Sequence, residues 1–126
     1  MAKKINLLVD TDIFIDYFNH QLFRKFFERQ EFQIYYSAVT KKELLSKKGL
    51  SDASRQAIVD LLKRYRLVPL NPLILQTYSD LRHNHPTTHK EDCLIAATAT
   101  VKGLPLATRN YKHFKIFPKL RLYFHP

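Results

Sequence analysis

The sequence of 126 residues is poor in cysteine and glycine, with one of the first and two of the second. A single cysteine excludes a disulfide framework and favours a reducing compartment. Cys93 has leucine and isoleucine neighbours, which predicts a small buried side chain rather than a nucleophile. Since no repeat, low-complexity tract or linker divides the chain, we expect one domain over residues 1–126.

Long hydrophobic runs are also missing. The first apolar run, Ile5–Val9, ends at Asp10, whereas a membrane-spanning helix needs about 20 apolar residues. The run is also shorter than the apolar part of a secretory signal, which has about 7 to 15 residues. We therefore expect a soluble, cytoplasmic protein that does not associate with membranes.

Acidic residues are scarce, with 11 Asp and Glu against 21 Lys and Arg, for a net charge of +10. Such a charge favours a polyanionic partner such as RNA or DNA, because binding releases the counterions of the nucleic acid. In so basic a chain, carboxylates that recur at strand ends are hard to explain as general solubilising charge. Basic surface around an acidic centre is what a metal-dependent nuclease needs.

The stretch from Leu7 to Asp16, LLVDTDIFID, predicts a strand, a turn and a helix. Asp10 follows the strand directly, at the edge of an open α/β sheet where ligands bind and helices point their positive ends. Asp12 lies in the first turn of the helix, where it either complements the helix dipole or joins Asp10 in a site. Asp16, one turn later, is expected to be solvated.

Strands and helices alternate along the rest of the chain, which predicts an α/β fold with a mainly parallel sheet. A helix is expected over Gln21–Gln30, and a capping box is expected between Thr88 and Glu91 at the start of a helix that ends at Gly103. The expected strands are Ile5–Val9, Phe32–Tyr36, Leu67–Leu70, Leu104–Ala107 and Leu120–Phe124, the last of them at an edge.

Three further polar residues stand beside strand ends or helix starts. Glu43 lies one to two turns into the helix after the second strand, Asp92 lies near a helix start, and Asn110 follows the strand that ends at Ala107. Since the carboxyl ends of parallel strands share one edge, a single acidic site built from four loops with Asp10 is the economical interpretation.

At these residues the chain resembles the PIN domains, and within them the small VapC-type ribonuclease toxins. The resemblance runs through nearly the whole chain in the same order and spacing. It is carried by Asp10 in VDTDIFID, Glu43 in SAVTKKELL, Asp92 in EDCLIAATA, and the segment TRNYKHF over residues 108–114.

The resemblance implies a PIN-like three-layer fold, in which helices flank a five-stranded parallel sheet. It also implies that Asp10, Glu43 and Asp92 bind Mg²⁺ or Mn²⁺ and cleave RNA phosphodiester bonds, with Asp10 central. Carboxylates gathered at one edge repel each other, so a divalent cation relieves a strain that protonation would otherwise relieve.

The segment TRNYKHF also contains a departure from the family pattern. Many PIN domains carry a fourth acid three residues after the asparagine, where this chain has His113. Imidazole is a poor ligand for Mg²⁺ and a better one for Mn²⁺, so a second metal site is in doubt. Thr108 and Asn110 are assigned as supporting residues that hold a water or orient an acid, and Arg109 as a contact to the RNA backbone.

Residues 14–27 hold six aromatic side chains, more than two helices of a small domain are expected to bury. In VapC-like proteins a small antitoxin lies in a groove beside such helices. The resemblance therefore implies an antitoxin partner, for which we expect a contact surface at Phe14, Phe18, Phe26 and Phe27. A separate face is expected to form a homodimer.

Two alternatives to a ribonuclease toxin remain open from the sequence. One is a PIN-like domain that has lost catalysis and only binds RNA or a protein, which His113 makes conceivable. The other is a phosphoacceptor receiver domain of similar α/β build, which is the weaker because Leu67–Leu70 supplies no aspartate at the end of a middle strand.

Overall fold

A computed structural model describes residues 3–124 of the chain. Strands and helices alternate along most of this range, as the sequence pattern predicts. In chain order the elements are β1 Ile5–Val9, α1 Thr11–His20, α2 Arg24–Glu28, β2 Phe32–Ser37, α3 Ala38–Leu45, α4 Asp52–Leu62, β3 Arg66–Val68, α5 Pro72–Asn84, α6 Lys90–Lys102, β4 Leu106–Ala107 and α7 Tyr111–Phe114.

The strands form one parallel sheet in the order β3-β2-β1-β4. The α/β class is confirmed, but the expected count of five strands is wrong for the described residues, because the predicted strand over Leu120–Phe124 is reduced to one parallel bridge. Leu106 pairs with Leu122, donating to Arg121 O at 2.9 Å and accepting from Tyr123 N at 2.8 Å. Since β4 has only two residues, it offers too short an edge for a longer partner.

Helices cover both faces of the sheet and make it the middle of three layers. Leu7 and Val9 of β1 point into one hydrophobic core, and Leu8 points into the other. All three side chains are fully buried, as expected for a strand covered on both faces. Cys93 lies in the second core, buried and free, as predicted.

The connection between α1 and α2 is tighter than the sequence suggests. The predicted helix over Gln21–Gln30 is wrong in extent, because Gln21 and Phe23 adopt left-handed backbone angles, with φ of 54° and 60°, and only Arg24–Glu28 is helical. This turn folds α2 back toward the sheet. Its rings join the core, where the ring centroids of Phe26 and Phe32 are 5.1 Å apart.

The burial of these rings overturns most of the predicted partner surface. Phe14, Phe26 and Phe27 are 0%, 1% and 4% exposed, so none of them is available to a second protein. They are covered by side chains from distant parts of the chain, including Tyr65 against Phe27 and Tyr123 against Phe26. Of the four predicted contacts, only Phe18 stays partly exposed.

Helix α6 begins and ends with different kinds of cap. The predicted capping box is not formed, because the helix begins one residue late, with His89 at the N-cap and no side-chain cap hydrogen bond. Its other end lies at Gly103, as predicted, where φ is +65° and the backbone N–H reaches back to the last turn. Over residues 3–124 the helices are all too short or too polar to cross a membrane.

Candidate active site

The candidate site lies where the carboxyl ends of β1, β2 and β4 meet the first turns of three helices. Asp10 follows β1 and is the N-cap of α1, Ser37 ends β2 and is the N-cap of α3, and Thr108 follows β4. Asp92 lies in the first turn of α6. Parallel pairing brings these ends to one edge, which places the predicted site residues around a common region.

Asp10 is the most constrained acid of the site. One carboxylate oxygen accepts a hydrogen bond from Thr11 N at 2.8 Å, and the other accepts one from Thr108 Oγ1 at 2.7 Å. The residue is only 5% exposed. Burial, followed by the neighbouring charge of Asp12, raises the pKa of Asp10 to about 8, against a smaller lowering by these two hydrogen bonds. Burial and the charge of Asp12 thus both favour the protonated carboxyl group of Asp10.

Asp12 lies beside Asp10 and belongs to the same group of acids. Its Oδ2 accepts a hydrogen bond from Arg109 N at 3.3 Å. Within the part of the chain that the structure describes, its Oδ1 is buried and has no hydrogen-bond partner. Burial raises the pKa of Asp12, although hydrogen bonds with the amide of Arg109 and the side chain of Asp10 oppose the rise. Asp12 thus contacts the loop after β4 as well as lying in the first turn of α1.

Glu43 reaches the site from α3 through a side-chain hydrogen bond. Its Oε1 lies 2.8 Å from Thr11 Oγ1, the hydroxyl of the residue that follows Asp10. Burial raises the pKa of Glu43, and the charges of Glu91, Asp92 and Asp12 add to the rise while the Thr11 hydrogen bond lowers it. These couplings place Glu43 electrostatically with the other acids.

Asp92 is half-buried and faces a histidine. Burial raises its pKa, and the charges of His113 and His89 partly oppose that rise. His113 Nδ1 lies 3.7 Å from Asp92 Oδ2, so the residue at the family's usual fourth acidic position is next to an acid of the site. Asn110 contributes through its backbone, since its N–H donates to Thr108 Oγ1 at 3.0 Å.

Asp16 is not solvated, contrary to the sequence expectation. It is 7% exposed, and its Oδ2 lies 2.5 Å from Nη1 of Arg109. The fold supplies this partner from 93 positions later in the chain. Arg109, predicted to contact RNA, thus holds Asp16 with its side chain and Asp12 with its backbone, while about half of its side chain stays exposed.

The residues present can be compared with the needs of a divalent cation. Among residues 3–124, no three His, Cys, Asp or Glu side chains are arranged as a ready-made metal site. The carboxylate oxygens are nevertheless of the type that Mg²⁺ binds, and Asp12 Oδ1 is buried without a donor. Because Mg²⁺ usually takes one or two carboxylates and keeps several waters, the residues fit a hydrated cation.

Comparison with known families settles the class of the chain. The family model described as PIN domain matches residues 7–120. The chain belongs to the PIN-domain family. This PIN domain is 30% identical over 122 residues to Ribonuclease VapC10 of Mycobacterium tuberculosis, a match that covers 91% of the chain and 90% of the relative. The match does not support the receiver-domain alternative.

Solved structures show the same fold at lower identity. The PIN domain aligns with VapBC2 from Rickettsia felis, bound to a DNA fragment from its promoter, with a TM-score of 0.79 and 20% identity over 97% of this chain and 100% of that one. It aligns with a toxin-antitoxin complex from Klebsiella pneumoniae with a TM-score of 0.74 and 24% identity, over 95% and 99% of the two chains.

Sequence reasoning named the hydroxyl residue Thr108 of this PIN domain but missed two others at the site. Thr11 and Thr40 both lie within hydrogen-bond distance of a candidate acid or of each other. Two signals in the sequence point to them. Thr11 directly follows Asp10 in the sequence. Thr40 precedes Glu43 by three positions, which places Thr40 and Glu43 on one face of the same helix.

Proposed function

We propose that this PIN domain is a divalent-metal-dependent endoribonuclease and the toxin of a toxin-antitoxin pair. The observation that carries the proposal is the pair formed by the buried Asp10 and the half-buried Asp12, in which Asp12 Oδ1 has no hydrogen-bond partner among the described residues. At the same sheet edge the charge of Asp92 acts on Asp10, and the charge of Asp12 acts on Glu43. A relative with 30% identity over nearly the whole chain carries the name ribonuclease.

The cation of this proposal is Mg²⁺, with Mn²⁺ as the alternative. Asp10, Glu43 and Asp92 would hold it, and Asp12 offers an additional oxygen. When bound, it supplies Lewis-acid stabilisation of the charge that develops on the phosphate during in-line attack by water. The imidazole of His113 favours a single hard-cation site over two.

The side chains of the site each have a task that does not depend on the cation. Thr108 and the Thr11 amide orient Asp10, and the Thr11 hydroxyl orients Glu43. The raised pKa of Asp10 favours its protonated form when no cation is present, which limits the repulsion among the acids. We call Asp10, Asp12, Glu43 and Asp92 at this sheet edge the acidic edge, and we expect it to accept a cation and to stay folded without one.

Basic residues flank the acids on two sides and suit a polyanionic substrate. Glu43 forms one wall of a cavity of about 530 Å³ that is also lined by Lys42, Lys90 and the half-buried Tyr78. Asp92 borders a second cavity of about 280 Å³ with Lys112 and His113. An RNA strand that crosses the acidic edge would meet basic side chains on both sides of its scissile phosphate.

A third cavity suits the antitoxin. Apolar side chains of α1, α3 and α4 line a groove of about 310 Å³, and its lining includes Phe18 and Glu43. A partner helix in this groove would reach the acidic site, where a basic side chain would compete with the cation for Glu43. Among the aromatic residues first assigned to this contact, Phe18 keeps the role.

A homodimer is the second association in the proposal. Leu70, Leu73 and Leu75 are 42%, 61% and 47% exposed, and they lie within residues 70–75, where β3 leads into α5. Large apolar residues exposed in one short segment favour an interface, and β3 is an edge strand. A second copy of the chain is the partner that we assign to this segment.

Loss of catalysis is the competing function, with the domain only binding RNA or protein. The lack of a ready-made metal site among the described residues and the presence of His113 favour it. Incubation of the purified chain with total RNA, in Mg²⁺ and in EDTA, separates the two. Cleavage that requires Mg²⁺ supports the nuclease, whereas RNA binding without cleavage in Mg²⁺ or Mn²⁺ contradicts it.

A further inference from the structure

Three buried hydroxyl groups run from β2 through α3 to α1 and end at Glu43. Ser37 Oγ lies 3.3 Å from Thr40 Oγ1, Thr40 Oγ1 lies 2.9 Å from Thr11 Oγ1, and Thr11 Oγ1 lies 2.8 Å from Glu43 Oε1. We call Ser37, Thr40 and Thr11 the hydroxyl chain. Their exposed fractions are 1%, 1% and 7%.

The chemistry of the end group sets the direction of the hydrogen bonds. An ionised carboxylate only accepts, so the single hydroxyl proton of Thr11 is donated to Glu43. The oxygen of Thr11 must then accept from Thr40, and the oxygen of Thr40 must accept from Ser37. The Ser37 oxygen in turn accepts from Thr40 N at 3.0 Å, so the first member of the hydroxyl chain is bonded to the first turn of α3.

Thr11 also contacts a second acid. Its backbone N–H donates to Asp10 Oδ1 at 2.8 Å, while its side chain donates to Glu43 Oε1 at the same distance. One residue thereby touches two carboxylates that lie 33 positions apart in the sequence. Since Oε1 of Glu43 is engaged by Thr11, the carboxylate presents its other oxygen to a ligand.

We infer that Thr11 is a positioning residue that sets the placement of Glu43 relative to Asp10, and that Thr40 and Ser37 hold the Thr11 hydroxyl in the donating orientation. This inference rests on the proposed function, because it concerns the acids that would hold the cation. Residues that orient metal ligands typically change metal affinity by about 10- to 100-fold when they are removed.

The test is calorimetric titration of the purified full-length protein with Mn²⁺ alone. Thr11→Val keeps the shape of the side chain but removes the hydroxyl, and Thr11→Ser restores it. We expect Thr11→Val to weaken Mn²⁺ binding by about 10-fold or more and Thr11→Ser to bind within about threefold of the wild type. Thr40→Val should have a smaller effect, because Thr11 can still donate to Glu43.

Thr98→Val is the matched control, because Thr98 is also fully buried and its hydroxyl donates to Leu94 O at 2.8 Å within α6. It should lower the melting temperature without changing Mn²⁺ affinity. If Thr11→Val, like this control, lowers the melting temperature but leaves Mn²⁺ affinity unchanged, the inference is overturned. Equal weakening by Thr11→Ser and Thr11→Val overturns it as well.

The readouts distinguish this inference from the proposed function. If the wild type binds Mn²⁺ and Thr11→Val binds it equally well, the positioning role is wrong and the nuclease proposal stands. If the wild type binds neither Mn²⁺ nor Mg²⁺, both are overturned. Should Thr11→Val fail to fold, the comparison of Thr40→Val with Thr40→Ser replaces it, and equal affinities in that pair contradict the hydroxyl chain.

Discussion

Asp10 is the residue on which the acidic edge depends most, since both of its carboxylate oxygens accept hydrogen bonds from residues that reach other parts of the site. Thr11 connects it to Glu43, and Thr108 connects it to the loop after β4. Its raised pKa reflects burial first and the charge of Asp12 second. If Asp10 binds the proposed cation, we expect it to release a proton when it does so.

Asp10→Asn should abolish RNA cleavage and leave the fold intact. The change removes a charge but almost no volume, and the Thr108 hydroxyl can turn to accept from the new amide. Cleavage should fall by at least about 100-fold, or about 2.7 kcal/mol of transition-state stabilisation. The melting temperature should hold or rise, because the buried side chain no longer has to take up a proton or carry a charge beside Asp12. Asp60→Asn on the exposed face of α4 is the control, and wild-type cleavage by Asp10→Asn would refute the site assignment.

His113→Asp should strengthen divalent-cation binding. It places a carboxylate where an imidazole now lies 3.7 Å from Asp92, and oxygen is the ligand that Mg²⁺ prefers. We expect affinity for Mg²⁺ to rise by about tenfold, or about 1.4 kcal/mol, and the metal-free protein to melt earlier because two acids then face each other.

Calorimetry with Mg²⁺ and thermal melting in EDTA measure these two effects. His83→Asp makes the same charge change at the exposed end of α5, outside the acidic edge. Unchanged or weaker Mg²⁺ affinity in His113→Asp would show that His113 does not lie beside the bound cation.

At the scale of elements, α3 separates two cavities that both include Glu43. The cavity toward α5 and α6 includes Lys42 and Lys90, and the groove toward α1 and α4 includes Phe18 and Leu50, while apolar side chains contribute to both linings. Glu43 therefore borders two separate cavities, one on each side of α3. If the proposed antitoxin occupies the groove, we expect it to reach Glu43 from the side of α1 and α4.

Ala57→Trp should prevent binding of the antitoxin and preserve catalysis. Ala57 is an exposed residue of α4 that lines the apolar groove, so an indole there fills the groove without entering the core. We expect at least about a 100-fold loss of affinity, or about 2.7 kcal/mol, for the proposed antitoxin. Co-purification and calorimetry measure the loss.

Ala53→Trp is the control for this prediction. Ala53 is exposed one turn earlier on α4 and does not line the groove. It should bind the partner as the wild type does. If Ala57→Trp retained full affinity, the partner would have to lie elsewhere on the protein.

At the scale of the whole molecule, a net charge of +10 surrounds a small cluster of acids. Burial raises the pKa of Asp10, Asp12, Glu43 and Asp92 alike. When these acids are ionised they destabilise the metal-free fold. Any process that neutralises them, whether protonation, cation binding or a basic side chain from a partner, stabilises it.

The metal-free protein should therefore lose stability as the pH rises. Between the ordinary pKa of 3.8 and the folded value of about 8, the folded state holds a proton on Asp10 that the unfolded state has released. The free energy of unfolding then falls with rising pH over this range. Urea unfolding in EDTA at several pH values measures the slope, which Asp10→Asn should reduce.

Addition of millimolar Mg²⁺ should oppose this loss, with the largest stabilisation near the upper end of the pH range, because the cation binds the ionised acids. A slope that is the same in wild type and Asp10→Asn would show that Asp10 does not titrate in the folded state. Equal Mg²⁺ stabilisation of the wild type and Asp10→Asn would show that Asp10 does not bind the cation.

Local patterns in the sequence determined two kinds of element: a strand that is buried on both faces, and a helix that ends at a glycine. The apolar run before Asp10 predicted a strand covered by helices, and Gly103 predicted the end of α6, because each depends on neighbours in the chain. The sequence also placed Asp10 and the segment after Ala107 at one sheet edge, since β1 and β4 are parallel and bring their carboxyl ends together.

Only the tertiary structure decided which side chains find partners across long stretches of chain. Phe26 and Phe27 became core because Tyr123 and Tyr65 cover them, and Asp16 became buried because Arg109 lies against it. The Thr11 contact to Glu43 spans 32 positions. A helical period states which residues share a face, but the element that covers that face is set by how the whole chain packs.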